Sequence, residues 1–111
     1  MKTKTVVTKH GNQFRIDARE VAPVSPRYRM EFFVDTPMQK CFILSLTHQA
    51  ALFLASEDQN LDPPDWLWEQ GCEMIQCAAE INSLENGDFV ILERHVKHKN
   101  RLTIDQLDKK A

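Results

Sequence analysis

One stretch constrains the fold of this chain more than any other. Residues 62–87 read Asp62-Pro63-Pro64-Asp65-Trp66-Leu67-Trp68, continue through Cys72-Glu73-Met74-Ile75 and end Leu84-Glu85-Asn86-Gly87. Asp62 is placed to cap a helix by accepting a backbone N–H bond, and proline is tolerated in a first turn whose N–H groups have no helical partner. Asp65 and Glu69 put negative charge near the positive end of the helix dipole. Asn86-Gly87 can adopt the left-handed conformation that closes a helix. The pattern predicts one long amphipathic helix over 62–87. At about 100° per residue, Leu67, Trp68, Gly71, Cys72, Met74, Ile75, Ala78, Ala79 and Ile81 form one apolar stripe. Glu69, Glu73 and Glu80 fall on the far side, and Trp66, Cys77 and Leu84 lie off the stripe.

The chain before it alternates. Thr5-Val6-Val7-Thr8 is β-branched throughout, Gly11-Asn12 is a dipeptide of hairpin-turn type, and Phe14, Ile16 and Ala18 share one face of a strand. With Gly11-Asn12 as a two-residue loop, Val7 lies opposite Ile16 and Thr8 opposite Arg15. Residues 21–26 hold two prolines and read as a connection. Residues 27–35 alternate again, with Tyr28, Met30, Phe32 and Val34 on one face and Arg27, Arg29, Glu31 and Phe33 on the other. The nearly continuous apolar run 40–46 suits a central strand buried on both faces. Thr47 can cap a short, well-buried helix reaching about Ser56. Residues 88–97 form the last strand. At the tail, Thr103 and Gln106 match a capping box, with Leu102 and Leu107 as its apolar staple.

The element order is therefore ββββααβ with a short C-terminal helix. It predicts an α+β fold: a mostly antiparallel sheet of about five strands, with two helices on one face. Residues 1–101 read as a single domain and 102–111 as a tail. The 111 residues, 42% hydrophobic and 27% charged, are ordinary for one soluble core. No apolar run approaches the roughly 18 residues that span a bilayer, and the first residues lead into no signal-peptide stretch. The expectation is a cytoplasmic protein with no membrane contact. Cys41, Cys72 and Cys77 suggest no disulfide framework; Cys41 and Cys72 read as buried, inert thiols.

Charge is the most distinctive feature. Residues 1–30 carry seven Lys or Arg and two acids, a net of +5; residues 94–111 carry six and two, a net of +4. Residues 31–93 carry one base, Lys40, against twelve acids, a net of −11. Such runs are usually solvated faces, or neutralise one another across a fold. Two sharper readings compete with that one. An acidic helical face of Glu69, Glu73 and Glu80, with Trp66 as an anchor, would recruit a basic protein partner. A basic sheet face of Arg15, Arg19, Arg27 and Arg29 with Phe33, joined by Arg94 and Lys97 of the 94–101 run, would bind nucleic acid through phosphate contacts and stacking. The 94–101 run also reads as an edge strand guarded by its charges.

Several chemistries lack their residues. Gly11, Gly71 and Gly87 are the only glycines, too few for a phosphate-binding loop. No paired Cys-x-x-Cys or His-Glu-x-x-His spacing occurs, and His95 and His98 would point to opposite faces of a strand. Nothing brings Cys41 beside a histidine base. No motif set carries over position by position from a known family. The expectation is a non-enzymatic regulatory or accessory protein without metal or cofactor. Its partner is another protein first and nucleic acid second, and homo-oligomers are an open alternative.

Overall fold

The alternating segments become a sheet with two unlike faces. In a computed structural model, which describes residues 2–21, 28–35, 39–81, 84–97 and 102–109, the chain runs β1 (Lys2–Val7), β2 (Gln13–Val21), β3 (Tyr28–Asp35) and β4 (Lys40–Leu46). Then follow α1 (His48–Glu57), α2 (Pro63–Glu80), β5 (Gly87–Ile91) and α3 (Glu93–Lys97). A 3-10 turn at Ile104–Gln106 and the two-residue β6 (Asp108–Lys109) close the chain. The fold is α+β. The strands lie side by side in chain order, and every pair is antiparallel except β4 and β5. The parallel step needs a crossover, which α1 and α2 provide.

One face carries the core. Ile16 lies opposite Val34, Ala18 opposite Phe32, Phe32 opposite Phe42, and Leu44 opposite both Met30 and Phe89, all buried. Leu67, Cys72, Met74 and Ile75 of α2 close over them. At the centre, the Phe32 ring stacks on Phe42, at 5.3 Å and 8° between planes, and on Trp68, at 6.1 Å and 7°. Leu102 and Leu107 are also buried in this core, and the amide N–H of Thr103 donates to Gln106 Oε1 at 3.2 Å. The tail turn is thus fixed to the body by its two leucines, which a short isolated turn requires.

Both helix starts follow their caps. The amide N–H of Ala50 donates to Thr47 Oγ1 at 3.3 Å, and that of Asp65 donates to Asp62 Oδ2 at 3.3 Å. The expected end of α2 is wrong. The helix stops at Glu80, and Ile81, placed on the apolar stripe, is 74% exposed. Asn82 and Ser83, whose short polar side chains compete with helical hydrogen bonding, lie outside the described residues. Gly87 instead begins β5, and Asn86, just before it, accepts the Cys41 amide N–H through Oδ1 at 2.8 Å.

The first hairpin has another register. Val6, not Val7, turns into the core opposite Phe14, and Val7 is 64% exposed. The loop is three residues, Lys9-His10-Gly11, closed by Thr8 and Asn12. Gly11 N–H donates to the Thr8 carbonyl at 3.0 Å, and Gly11 takes φ +80°. That left-handed residue after a tight turn is the normal way to close a three-residue hairpin loop, and it moves the pairing from the register that a two-residue loop imposes.

Two further expectations are corrected. Residues 93–97 are not the end of a strand. After Ile91 the chain turns into α3, where Leu92 N–H donates to His95 Nδ1 at 2.8 Å and the His95 amide N–H to the Leu92 carbonyl at 3.0 Å. Helix α1 is not buried all round. It turns Ala50, Ala51 and Leu54 inward and leaves Leu52 exposed, because it packs chiefly along one side, against α3.

Candidate functional site

Two surfaces carry the residues that the sequence singles out. The first is the outer ridge of α2. Asp62, Asp65, Glu69 and Glu73 follow one another at helical spacing and are all exposed. Besides the cap Asp62, two acids on this side of the helix serve the fold. Asp65 Oδ1 accepts from Lys2 Nζ at 2.7 Å, and Glu80 Oε1 accepts the Lys9 amide N–H at 2.9 Å. Lys2 holds the Asp65 carboxyl below the ordinary aspartate range, chiefly through that hydrogen bond. Glu69 and Glu73 make no ion pair with any described residue. Trp66 is half-buried and packs against the core.

The second surface is the sheet face turned away from the helices. Alternation and register place on it Arg15, Asp17 and Arg19 of β2; Arg29, Glu31, Phe33 and Asp35 of β3; Cys41, Ile43 and Ser45 of β4; and Asp88 and Val90 of β5. Its arginines are held by its acids. Arg15 Nε donates to Asp17 Oδ2 at 3.0 Å, Arg19 Nη2 lies 2.7 Å from Glu31 Oε1, and Arg29 Nη2 lies 3.6 Å from Asp88 Oδ2. The Arg19 guanidinium also sits 5.8 Å from the Phe33 ring centroid. A groove of about 550 Å³ opens on this face, lined by Arg15, Asp17, Phe33, Asp35, Lys40 and Cys41 among others.

The structure brings Arg15, Arg19, Arg29 and Phe33 onto one face. Arg94 and Lys97 go elsewhere, onto α3 beside α1, where Lys97 pairs with Glu93 at 3.0 Å. Arg27 and His98 lie outside the described residues. Cys41, expected to be buried, is exposed at the groove, because it falls on the outward side of β4. Desolvation and the Glu31 carboxylate push its thiol up, away from the reactive thiolate. Cys72, on the inner side of α2, is buried, and desolvation raises its thiol to about 11.

The acids that hold the arginines were only partly legible. Asp17 shares the alternating face of Arg15 and Arg19, so its pairing was open to sequence reasoning. Glu31 meets Arg19 only through the β2–β3 register, which no local signal gives. Among the described residues no cluster of three or more His, Cys, Asp or Glu could hold a metal ion, and no helix is long and apolar enough to cross a membrane. Comparison with family models, curated proteins and solved structures gives no match.

Proposed function

We propose that this chain is a non-enzymatic regulatory or accessory domain that binds another protein, presenting the acidic ridge of α2 to a basic surface. The observation that carries the reading is a contrast in pairing. The three described sheet-face arginines each lie against a carboxylate, whereas Glu69 and Glu73 stand exposed and form no ion pair among the described residues. No Lys or Arg occurs between Cys41 and Glu93, so nothing on α1 or α2 themselves offsets the ridge. Charge of this kind speeds and orients encounter with a partner of opposite sign more than it adds affinity.

Nucleic-acid binding on the sheet face is the second reading. Phe33 beneath the Arg19 guanidinium offers a stacking surface, and exposed ion pairs are weak enough for a phosphate to displace. A pull-down with the tagged protein, with and without nuclease, separates the two when repeated with Glu69→Lys/Glu73→Lys and with Arg15→Ala/Arg19→Ala. The proposal expects a protein that survives nuclease, is lost with the glutamate reversals and is kept with the arginine changes. Retention after the glutamate reversals, or loss of all captured material on nuclease treatment, overturns it.

A further inference from the structure

We propose that β1 is a self-association edge: two copies of this chain pair their β1 strands antiparallel about a twofold axis at Thr5, which joins the two sheets into one. Among the described residues the sheet has two unlike ends. At one end β6 is two residues long; at the other β1 is six, with no proline and no bulge in its register with β2. Thr3, Lys4, Thr5 and Val7 are all exposed. Exposed edges are commonly guarded by lysine. Here Lys2 is drawn back onto Asp65 of α2 at 2.7 Å, which leaves Lys4 as the guard. The seam involves neither Glu69 nor Glu73, so it stands apart from the acidic-ridge reading.

The hairpin loop fixes which backbone groups are free. Thr8 N–H donates to the Asn12 carbonyl at 2.8 Å, so Thr8 bonds toward β2. Antiparallel ladders alternate, so Val6, Lys4 and Lys2 bond toward β2 as well. Thr3, Thr5 and Val7 therefore turn their N–H and C=O groups outward, where no described strand lies. This alternation and the lysines select one register. With Thr5 opposite Thr5 of the second copy, Thr3 falls opposite its Val7, so outward groups meet outward groups and each pair exchanges both backbone bonds. These side chains are all β-branched, suited to cross-strand pairing, and lie on the face away from the helices. On the helix side Lys4 meets Val6 of the second copy. Centring the pair on Lys4 would set lysine directly against lysine, which is unfavourable, and centring it on Val6 would shorten the ladder to Thr5 and Val7. In the selected register Lys2 and Lys4 of each copy lie between two α2 helices, whose only charged residues are Asp65, Glu69, Glu73 and Glu80. The basic seam and its acidic flanks are thus complementary.

Sedimentation equilibrium over a rising concentration series should show a monomer–dimer equilibrium, and a weak one, since a single strand pair is a small interface. Thr5→Pro removes an N–H that points away from β2, where an edge strand tolerates proline. That variant should keep the wild-type circular dichroism and stay monomeric. Isotope-filtered NMR on a mixture of carbon-13-labelled and unlabelled protein should show an NOE between Lys4 Hα and Val6 Hα. Those two protons are too far apart within one extended strand to give it, and in the dimer they face each other across the seam. A monomer at every concentration up to that of an NMR sample, a dimer that Thr5→Pro leaves intact, or a dimer without that NOE overturns the proposal. The NOE decides the matter even if Thr5→Pro fails to fold.

Discussion

Gly71 lies against the ring of Phe32 so closely that a Cβ on the glycine would bring Cζ, Cε2 and Cε1 of that ring all within 2.9 Å. The missing side chain lets α2 settle onto β3, and it allows the neighbouring Trp68 to stack on the same ring. Glycine in mid-helix costs about 1 kcal/mol relative to alanine, so Gly71→Ala would stabilise an isolated helix. Here the clash should dominate. Gly71→Ala should lower stability by about 1–3 kcal/mol in urea unfolding, the usual cost of overpacking a core. In a Phe32→Leu background, where the ring is gone, the same change should cost much less. Equal penalties in the two backgrounds would show that the ring is not what Gly71 accommodates.

Glu80 and Glu69 look alike in sequence and should behave differently. Glu80 clamps the first hairpin by accepting the Lys9 amide N–H, whereas Glu69 is exposed and without an ion pair among the described residues. Glu80→Ala should cost about 1.5–3 kcal/mol, the range for a hydrogen bond to a charged group. It should also speed hydrogen exchange at the Lys9 amide. Glu69→Ala should change stability by less than about 0.5 kcal/mol, as surface substitutions usually do. Unchanged exchange at Lys9 in the Glu80 variant would refute the clamp.

The Lys2–Asp65 pair gives a pH prediction with a defined sign. The pair holds the Asp65 carboxyl down and the Lys2 ammonium up, each chiefly through their shared hydrogen bond. A carboxyl lowered in the folded state contributes stability above its unfolded pKa of about 3.9, and loses it as pH falls through the folded value. A lysine raised in the folded state contributes below about 10.4, and loses it as pH rises through its own folded value. The tie is therefore intact across the neutral range. Both groups face solvent, so its effect on overall stability should be small and should shrink with added salt. A carbon-13 titration of the Asp65 carboxyl should show a midpoint below the ordinary one, returning toward it in Lys2→Ala. No movement between the two proteins would argue against the pair.

The cysteines should divide by exposure. A thiol reagent applied to the native protein at mildly alkaline pH should modify Cys41 first, since it opens on the sheet-face groove. Its raised pKa should make it slower than a free cysteine. Cys72, buried and raised to about 11, should react only on the timescale of unfolding. Peptide mapping by mass spectrometry reads the order, and early labelling of Cys72 would contradict its burial.

The fold was legible wherever a pattern repeats at the period of its element. Phe14, Ile16 and Ala18 and then Met30, Phe32 and Val34 alternate, and the alternation placed the core face correctly. Thr47 and Asp62 announced the two main helices because a cap is a local bond between residues three apart. What failed depended on two local readings of equal plausibility. Asn86-Gly87 serves a strand start as readily as a helix stop. Gly11 serves a three-residue loop as readily as a two-residue one, and the choice shifts every cross-strand partner of β1. The candidate surfaces were legible as lists of charges but not as pairings. Whether an arginine is spoken for depends on which acid the neighbouring strand delivers, and strand register is a long-range property.

The single parallel step between β4 and β5 also shapes how the chain can assemble. The contacts of β1 to β4 are between sequence neighbours and can close strand by strand. Phe42 and Gly87 are cross-strand partners although both helices lie between them in sequence. Closing so long a segment costs entropy before any contact repays it. The four-strand meander can therefore form ahead of α2, while β5 must wait for α1 and α2 to shorten the path. Core changes in β2 or β3 should act mainly on the folding rate, and changes in β5 mainly on the unfolding rate. Loss of β5, together with the short β6 that pairs with it, is then what exposes the β4 edge to another chain.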